Sequence, residues 1–329
     1  MEKPEDVASI LSKLNLQDIE ETISQPYHKT GPGKPPRSPL GIFKALIVKQ
    51  LKSIPSDREI YRRLWNDETL REICDIEEHE KPYHPSQITR FRNRVGPERL
   101  EDIMTGLLEE LVEEGIIKGE ALALDATFIK AWSSLDPHDT GRGLGDPDAR
   151  VGRGKKGFML GYQSLFLVDI EGFPLGHVEA PLNVNEKQLV EALLDKVLGD
   201  CIEVELLVGD SQLESQAIFD LLDELKMSHI IAWRKLKGRV NPPEVLSVKD
   251  RIDVEGPEWL RVIYERLRAA SESFNGRAKS RLGYQRLTWQ GLENVGIHVG
   301  LVLMVAYAVC IAAYGIGRPE LRQSVAFFA

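Results

Sequence analysis

The stretch ALALDATFIK, residues 121–130, constrains this chain more than any other. It is an apolar run with β-branched and aromatic residues just after Asp125, bounded upstream by Lys118-Gly119-Glu120. Such a run reads as a buried strand. A carboxylate inside it is costly unless something offsets its charge. An Asp bonded to backbone amides is one solution. An Asp that holds a metal ion from a rigid strand is another. The choice turns on whether the chain supplies further carboxylates in matching settings.

Two more segments do. Residues 204–210, VELLVGD, read as a second apolar strand, ending in Asp210. In open α/β sheets sites gather where strands end. Two carboxylates converging there repel each other, and a divalent cation relieves that. The third segment is residues 264–279, YERLRAASESFNGRAK. At about 100° per residue, Tyr264, Arg268, Glu272, Asn275 and Lys279 share one helical stripe, while Leu267, Ala270, Phe274 and Ala278 gather on a different, apolar face. Glu272 is then free to face the Asp pair while Phe274 anchors the helix. The plainer reading is an exposed helix whose Arg268–Glu272 pair contributes only about 0.3–0.5 kcal/mol. Taken together, the three carboxylates suit metal-assisted phosphoryl transfer with two Mg²⁺ ions, or Mn²⁺ in their place. Neighbouring Arg and Lys would hold the scissile strand. No Ser or Cys beside a His suggests a protein nucleophile, and this chemistry needs none.

The surroundings of these segments fix the fold class. Residues 158–170 and 173–180 flank Glu171-Gly172 and read as a hairpin. Residues 186–198 and 213–226 read as helices, and 229–233 as another strand. Strand, hairpin, helix, strand, helix, strand is the order of a mixed sheet with helices on its faces. That α/β domain is assigned to residues 116–329. Residues 152–157 match GxGxxG to the letter, but the motif must follow a strand and open a helix to cradle a dinucleotide. Here it sits in a polar, glycine-rich loop before a strand, so a flexible cationic loop is expected, with Lys155 and Lys156 facing phosphates.

Residues 1–115 read as all-α. Residues 1–24 form a polar helix with Ile10, Leu11, Leu14 and Leu16 on its apolar side. Residues 26–39, rich in Pro, Gly and cations (Lys29, Lys34, Arg37), form a linker. A helix ends before Pro55, and Ser56 caps the next, with Glu59 at capping-box distance. After a short third segment, residues 84–95, HPSQITRFRNRV, place Arg90, Arg92 and Arg94 on a basic helix. Short helices joined by tight turns suggest a helix-turn-helix-like DNA reader. An ordinary helical bundle with a solvated Arg face is the alternative.

Composition limits the rest. The 329 residues carry a net charge of −9, which excludes a general nucleic-acid coat. Basic residues crowd 142–156, 234–239 and 261–286, so a polyanion would meet patches. Cys74, Cys201 and Cys310 are far apart and lack metal-ligand or disulfide spacing, which fits a reducing cytoplasm. The acidic N-terminus MEKPEDVASI has no apolar signal region. Residues 295–315 are as long and apolar as a membrane span. Their Gly and Ala content, and the charged helix before them, favour a buried core helix and no membrane.

At this point the sequence resembles a known family, the Asp-Asp-Glu transposases of prokaryotic insertion sequences, in the group with a Tyr-Arg-Glu-Lys motif. LALDATFIKAW resembles the family's first-Asp strand, and DPDARVGRGKKGFMLGYQ its path into the second strand. LLVGDSQLES resembles the second-Asp strand, RLRAASESFNGRAKSRLGY the Glu helix, and PSQITRFRNRV part of the DNA-binding region. The resemblance implies a ribonuclease H-like fold with Asp125, Asp210 and Glu272 as catalytic metal ligands. Arg268 and Lys279 match the family spacing from Glu272 and would bind DNA near the cleaved phosphate. Tyr264 stands one position before the motif's tyrosine, which here is Glu265. Trp132 and Trp233, near predicted strand ends, are candidates to stack a base. The implied activity is cutting mobile-element ends and joining their 3′-hydroxyls to target DNA, with a homodimer acting on double-stranded DNA. Two rivals share many of these residues: a nuclease without strand transfer, and an inactive DNA-binding regulator derived from a transposase.

Overall fold

The computed structural model describes residues 7–27, 37–154, 157–198, 204–210, 212–231 and 258–329. They group into two compact units. One is Val112–Arg277; the other joins Met1–Leu111 to Ala278–Ala329. Lys155, Lys156, Trp233, Cys201, Lys29 and Lys34 lie outside the described residues.

The N-terminal helices are α1 (Val7–Lys13), α2 (Leu16–Ser24), α3 (Pro39–Leu51), α4 (Asp57–Asn66), α5 (Glu68–Ile73) and α6 (Pro85–Glu113). The single helix expected over residues 1–24 is two, because Asn15 turns to cap α2, accepting the Asp18 N–H through its side chain. Ser56 caps α4 as expected, its hydroxyl accepting the Glu59 N–H at 3.2 Å. Asp67 does the same for α5 through the Leu70 N–H at 3.0 Å. Within α6 the chain kinks at Gly96, φ 79°, where Pro97 follows without an amide proton to donate. The helix read at residues 84–95 ends at that kink.

The sheet unit starts with β1 (Ala121–Lys130), β2 (Arg150–Gly154), β3 (Gly157–Asp169) and β4 (Pro174–Pro181). A 3₁₀ turn (Glu186–Leu189) leads into α7 (Val190–Val197), then come β5 (Leu206–Gly209), α8 (Gln216–Glu224), β6 (Ser228–Ile231) and α9 (Glu258–Ser280). The strand order is β2-β3-β1-β5-β6, with β4 also on β3. β1 is antiparallel to β3 and parallel to β5, which makes the sheet mixed, in a ribonuclease H-like arrangement. The glycine-rich segment expected to be a loop is a strand over 150–154. A Cβ on Gly152 would come 2.2 Å from the Leu182 carbonyl oxygen, so the close approach of β2 requires glycine there.

Helix α9 lies against the sheet through Leu267 and Phe274, both fully buried. Leu267 packs with Ala123, Val208 and Ile230, and with Ile263 and Tyr264 of its own helix. The Phe274 ring meets Phe166 of β3 edge-on at 5.3 Å. The spacing of these anchors is the helical repeat, so one face of α9 is committed to the sheet and its neighbours flank it.

The apolar run forms α10 (Leu292–Gly315), followed by the short α11 (Val325–Phe328). The most apolar part of α10 is 94% buried, so it is a core helix. The sequence placed it at the end of the sheet domain, yet its partners are α1 and α3. A helix apolar on every side needs an apolar sleeve, and the short N-terminal helices supply it. Next to it is a buried polar group. Lys49, 2% exposed, sits 2.6 Å from Asp57, which also accepts the Trp289 indole N–H at 2.9 Å. The Arg92 guanidinium lies 3.7 Å over the Trp289 ring and donates to Asn294. His298 donates through Nε2 to the Tyr284 carbonyl at 3.0 Å. Burial, aided by Lys49, pushes its imidazole down to about 4, so it is neutral at pH 7.

Candidate active site

Register brings the two aspartates together. β1 and β5 run parallel with Leu124 opposite Gly209, so Asp125 and Asp210 are the next residues on adjacent strands. Asp125 lies inside β1 opposite Phe166. Asp210 follows directly on β5, and its side chain accepts the Gln212 N–H at 2.8 Å, which holds the chain as it turns away.

Helix α9 supplies the next groups. Phe274 pins it on Phe166, the residue opposite Asp125, so the adjacent Asn275 reaches the carboxylate, with Nδ2 donating to Asp125 Oδ2 at 2.8 Å. Arg268 stands between two acids, 3.8 Å from Asp125 Oδ1 and 3.4 Å from Glu272 Oε1. Burial raises the Asp125 pKa; Arg268 and Asn275 oppose this, and the charges of Asp210 and Glu272 reinforce it. Tyr264 is also raised, chiefly by burial, and it feels Arg268, Asp210 and Glu272. It therefore borders the acidic group despite its shifted position in the sequence.

Glu272 points outward, its side chain 69% exposed. Among the described residues no three His, Cys, Asp or Glu side chains stand close enough, as placed, to hold one ion. The donor chemistry nevertheless fits a hard divalent cation, since oxygen-only carboxylates suit Mg²⁺ and Mn²⁺. Arg268 supplies the positive charge there, and weakly: its Nη1 is buried, makes no hydrogen bond, and stands beyond bonding distance of Asp125.

The other sequence candidates divide. Lys279 is exposed further along α9, and Trp132 is 62% exposed just past β1. Arg90 and Arg94 are exposed on α6, with Arg94 4.7 Å over the Tyr27 ring. Arg92 is a correction. It is 4% exposed and committed to Trp289 and Asn294, so its charge belongs to the core of the helical unit. Arg37 is likewise engaged, pairing with Glu80 at 2.9 Å and stacking on Tyr83. Sequence reasoning missed two residues. Asn275 was read only as part of a stripe, and its partner became visible once Phe274 fixed the helix. Glu186 was read as the start of a helix, yet the charges of Asp210 and Asp125 both act on it.

Comparison with known proteins agrees with this arrangement. Residues 117–308 match the model for the Transposase DDE domain, and residues 2–94 match the Transposase domain (DUF772). The curated protein sequences contain no significant match. Among solved structures, the piggyBac transposase synaptic complex with hairpin DNA aligns at 12% identity, covering 96% of this chain and 76% of that one, with a TM-score of 0.48. The Mos1 strand transfer complex aligns at 14% identity over 80% of this chain and 83% of that one, with a TM-score of 0.23. Both scores are below 0.5, and the assignment stands on the sequence families.

The two family matches define a nucleic-acid-processing enzyme, built here on a mixed sheet. More particularly, the chain belongs to the transposase DDE domain family. It is a DNA transposase, an enzyme of DNA cleavage and strand transfer, and that family implies divalent metal ions.

Proposed function

We propose that Asp125, Asp210 and Glu272 are the metal-holding carboxylates, on the Tyr-Arg-Glu-Lys plan of insertion-sequence transposases. The observation that carries this is the pairing of β1 with β5, which sets Asp125 beside Asp210, together with the Arg268 bridge from Asp125 towards Glu272. When bound, divalent ions would activate the attacking hydroxyl and steady the leaving oxygen; Mg²⁺ is the ion proposed, with Mn²⁺ able to replace it. The chain's own groups do the rest. Asn275 orients the Asp125 carboxylate. Arg268 and Lys279 would each bind the DNA phosphate backbone, Arg268 when a divalent ion compensates Asp125 in its place. Glu272 swings in from solvent to join the two aspartates. Arg90, Arg94, Lys155 and Lys156 contact double-stranded DNA. The helical unit reads element ends, the sheet unit cuts and joins, the working form is a homodimer, and the compartment is the cytoplasm.

The test uses the full chain with an element end and a plasmid target. Asp125→Asn, Asp210→Asn and Glu272→Gln each abolish cleavage while end binding survives. Loss of binding in all three would count against the assignment. A pre-cut 3′-hydroxyl end separates transposase from nuclease, since joined product appears only with strand transfer.

A further inference from the structure

We infer that Phe158 is an aromatic wedge for duplex DNA, carried on a projecting β-ribbon beside the cut, with Arg153 opposite it to take the adjoining phosphate. The inference rests on the reading just proposed, in which Asp125 and Asp210 mark the cut. Its first support is register. β1 ends at Lys130, opposite Gly161 of β3. From that side one more bond reaches β3, the Ala131 N–H donating to the Leu160 carbonyl at 3.1 Å. Past it, β2 and the start of β3 continue as a two-stranded ribbon, with Arg153 opposite Phe158. The ribbon projects in the direction in which β1 and β5 run, beyond the level of the two aspartates.

Side-chain alternation is the second support. Phe158 and Phe166 are eight residues apart on β3, so they share a face of the sheet. Phe166 is opposite Asp125 and meets the Phe274 ring of α9. Phe158 and Arg153 therefore lie on the catalytic face. That face is covered as far as Leu160, 8% exposed, and opens at Phe158, 81% exposed. No large apolar side chain among the described residues is more exposed. Eight residues of strand span about 26 Å, the length of about eight base pairs of duplex. The ring is thus too far away to stack on a base at the cut, and it acts on the duplex to one side of it.

Charge and anchoring complete the case. Residues 149–168 contain no Asp or Glu, although the whole chain carries −9. Arg153 is exposed and makes no ion pair among the described residues. The root of the ribbon is held firmly. The Val151 N–H donates to the Gly141 carbonyl at 2.9 Å, and Gly152 passes close to the Leu182 carbonyl. The glycine-rich match at 152–157 thus belongs to an anchored arm. A guanidinium and an apolar ring side by side on such an arm are the two parts that kink a duplex: one grips a phosphate while the other enters between base pairs.

The test uses the full chain and an element end with 2-aminopurine placed singly at about six to ten base pairs to either side of the mapped cut. Binding raises the fluorescence on one side, because the probe there is unstacked. Phe158→Ala abolishes that rise and weakens end binding about 10-fold, with no change in melting temperature, and Phe158→Trp retains both. Arg153→Ala lowers the salt slope of binding by about one phosphate contact. Asp210→Asn is measured beside them, and it abolishes cutting while the fluorescence still rises. If Asp210→Asn abolishes cutting and Phe158→Ala leaves the rise intact, or the parent chain gives no rise, the wedge fails alone. If Asp210→Asn still cuts, the carboxylate assignment fails and takes the inference with it. If Phe158→Ala disperses a DNA-free oligomer and leaves the rise intact, the ring belongs against a second copy of the chain, and the wedge is refuted.

Discussion

Arg268→Met offers the sharpest probe of the acidic site, because it keeps an unbranched stem and removes the guanidinium. The guanidinium stands 3.8 Å from Asp125 with side-chain exposures of 23% and 18%. At an effective dielectric of about 20, that separation corresponds to about 4 kcal/mol of attraction. Partial solvation screens it, and the pair is not hydrogen-bonded, so about 2 kcal/mol remains as the net loss on removing one partner. The second contact, to the largely exposed Glu272, adds little. The metal-free variant should therefore lose about 2 kcal/mol in urea unfolding. Divalent metal should reverse the deficit, because a cation replaces the missing charge. Millimolar MgCl₂ then stabilises the variant more than it stabilises the parent. A loss well under 1 kcal/mol would make the pair an ordinary surface contact. A loss of the expected size that Mg²⁺ leaves untouched would show that Arg268 and a cation do not compete for the same carboxylates.

Other outcomes follow from the same geometry. Phe274→Ala empties a fully buried ring position on β3 and should cost about 3–5 kcal/mol in guanidinium unfolding; a change below about 1 kcal/mol would mean α9 is not anchored there. Arg90→Ala and Arg94→Ala should weaken binding to element ends and lower the salt slope by about one phosphate contact each, whereas Arg92→Ala should lower the unfolding midpoint through loss of the Trp289 stack. His298 is charged in the unfolded chain below its usual 6.5 but stays neutral in the fold down to about 4. Its contribution is thus whole above pH 6.5 and lost as pH falls towards 4, so a His298→Gln protein that still folds should lose much of the acid sensitivity seen by calorimetry across that window. The raised carboxyls have the opposite sign. With Asp169 at about 6, stability falls as pH rises from about 4 to 6, and Asp169→Asn should flatten that slope.

Sequence alone determined the parts of this protein that depend on short-range pattern. An Asp inside ALALDATFIK and another closing VELLVGD were legible, because an acid in an apolar run stands out at any register. The 158–180 hairpin and the helix starts followed from turn residues and caps, and Ser56 and Gly172 do what such residues do locally. What the sequence misplaced were elements whose partners are remote. Arg92 looks like its neighbours in RFRNR, and only Trp289 and Asn294, far along the chain, make it a core residue. The apolar helix at 292–315 advertises that it must be buried but not against what, since uniform hydrophobicity carries no direction. Asn275 and Glu186 are unremarkable in one dimension. Asn275 meets Asp125 because the Phe274–Phe166 contact fixes α9 on the sheet, and Asp210 stands beside Asp125 because β1 and β5 pair in parallel. Pattern along the chain selects each element, and long-range packing, which no local pattern encodes, decides which side chains meet.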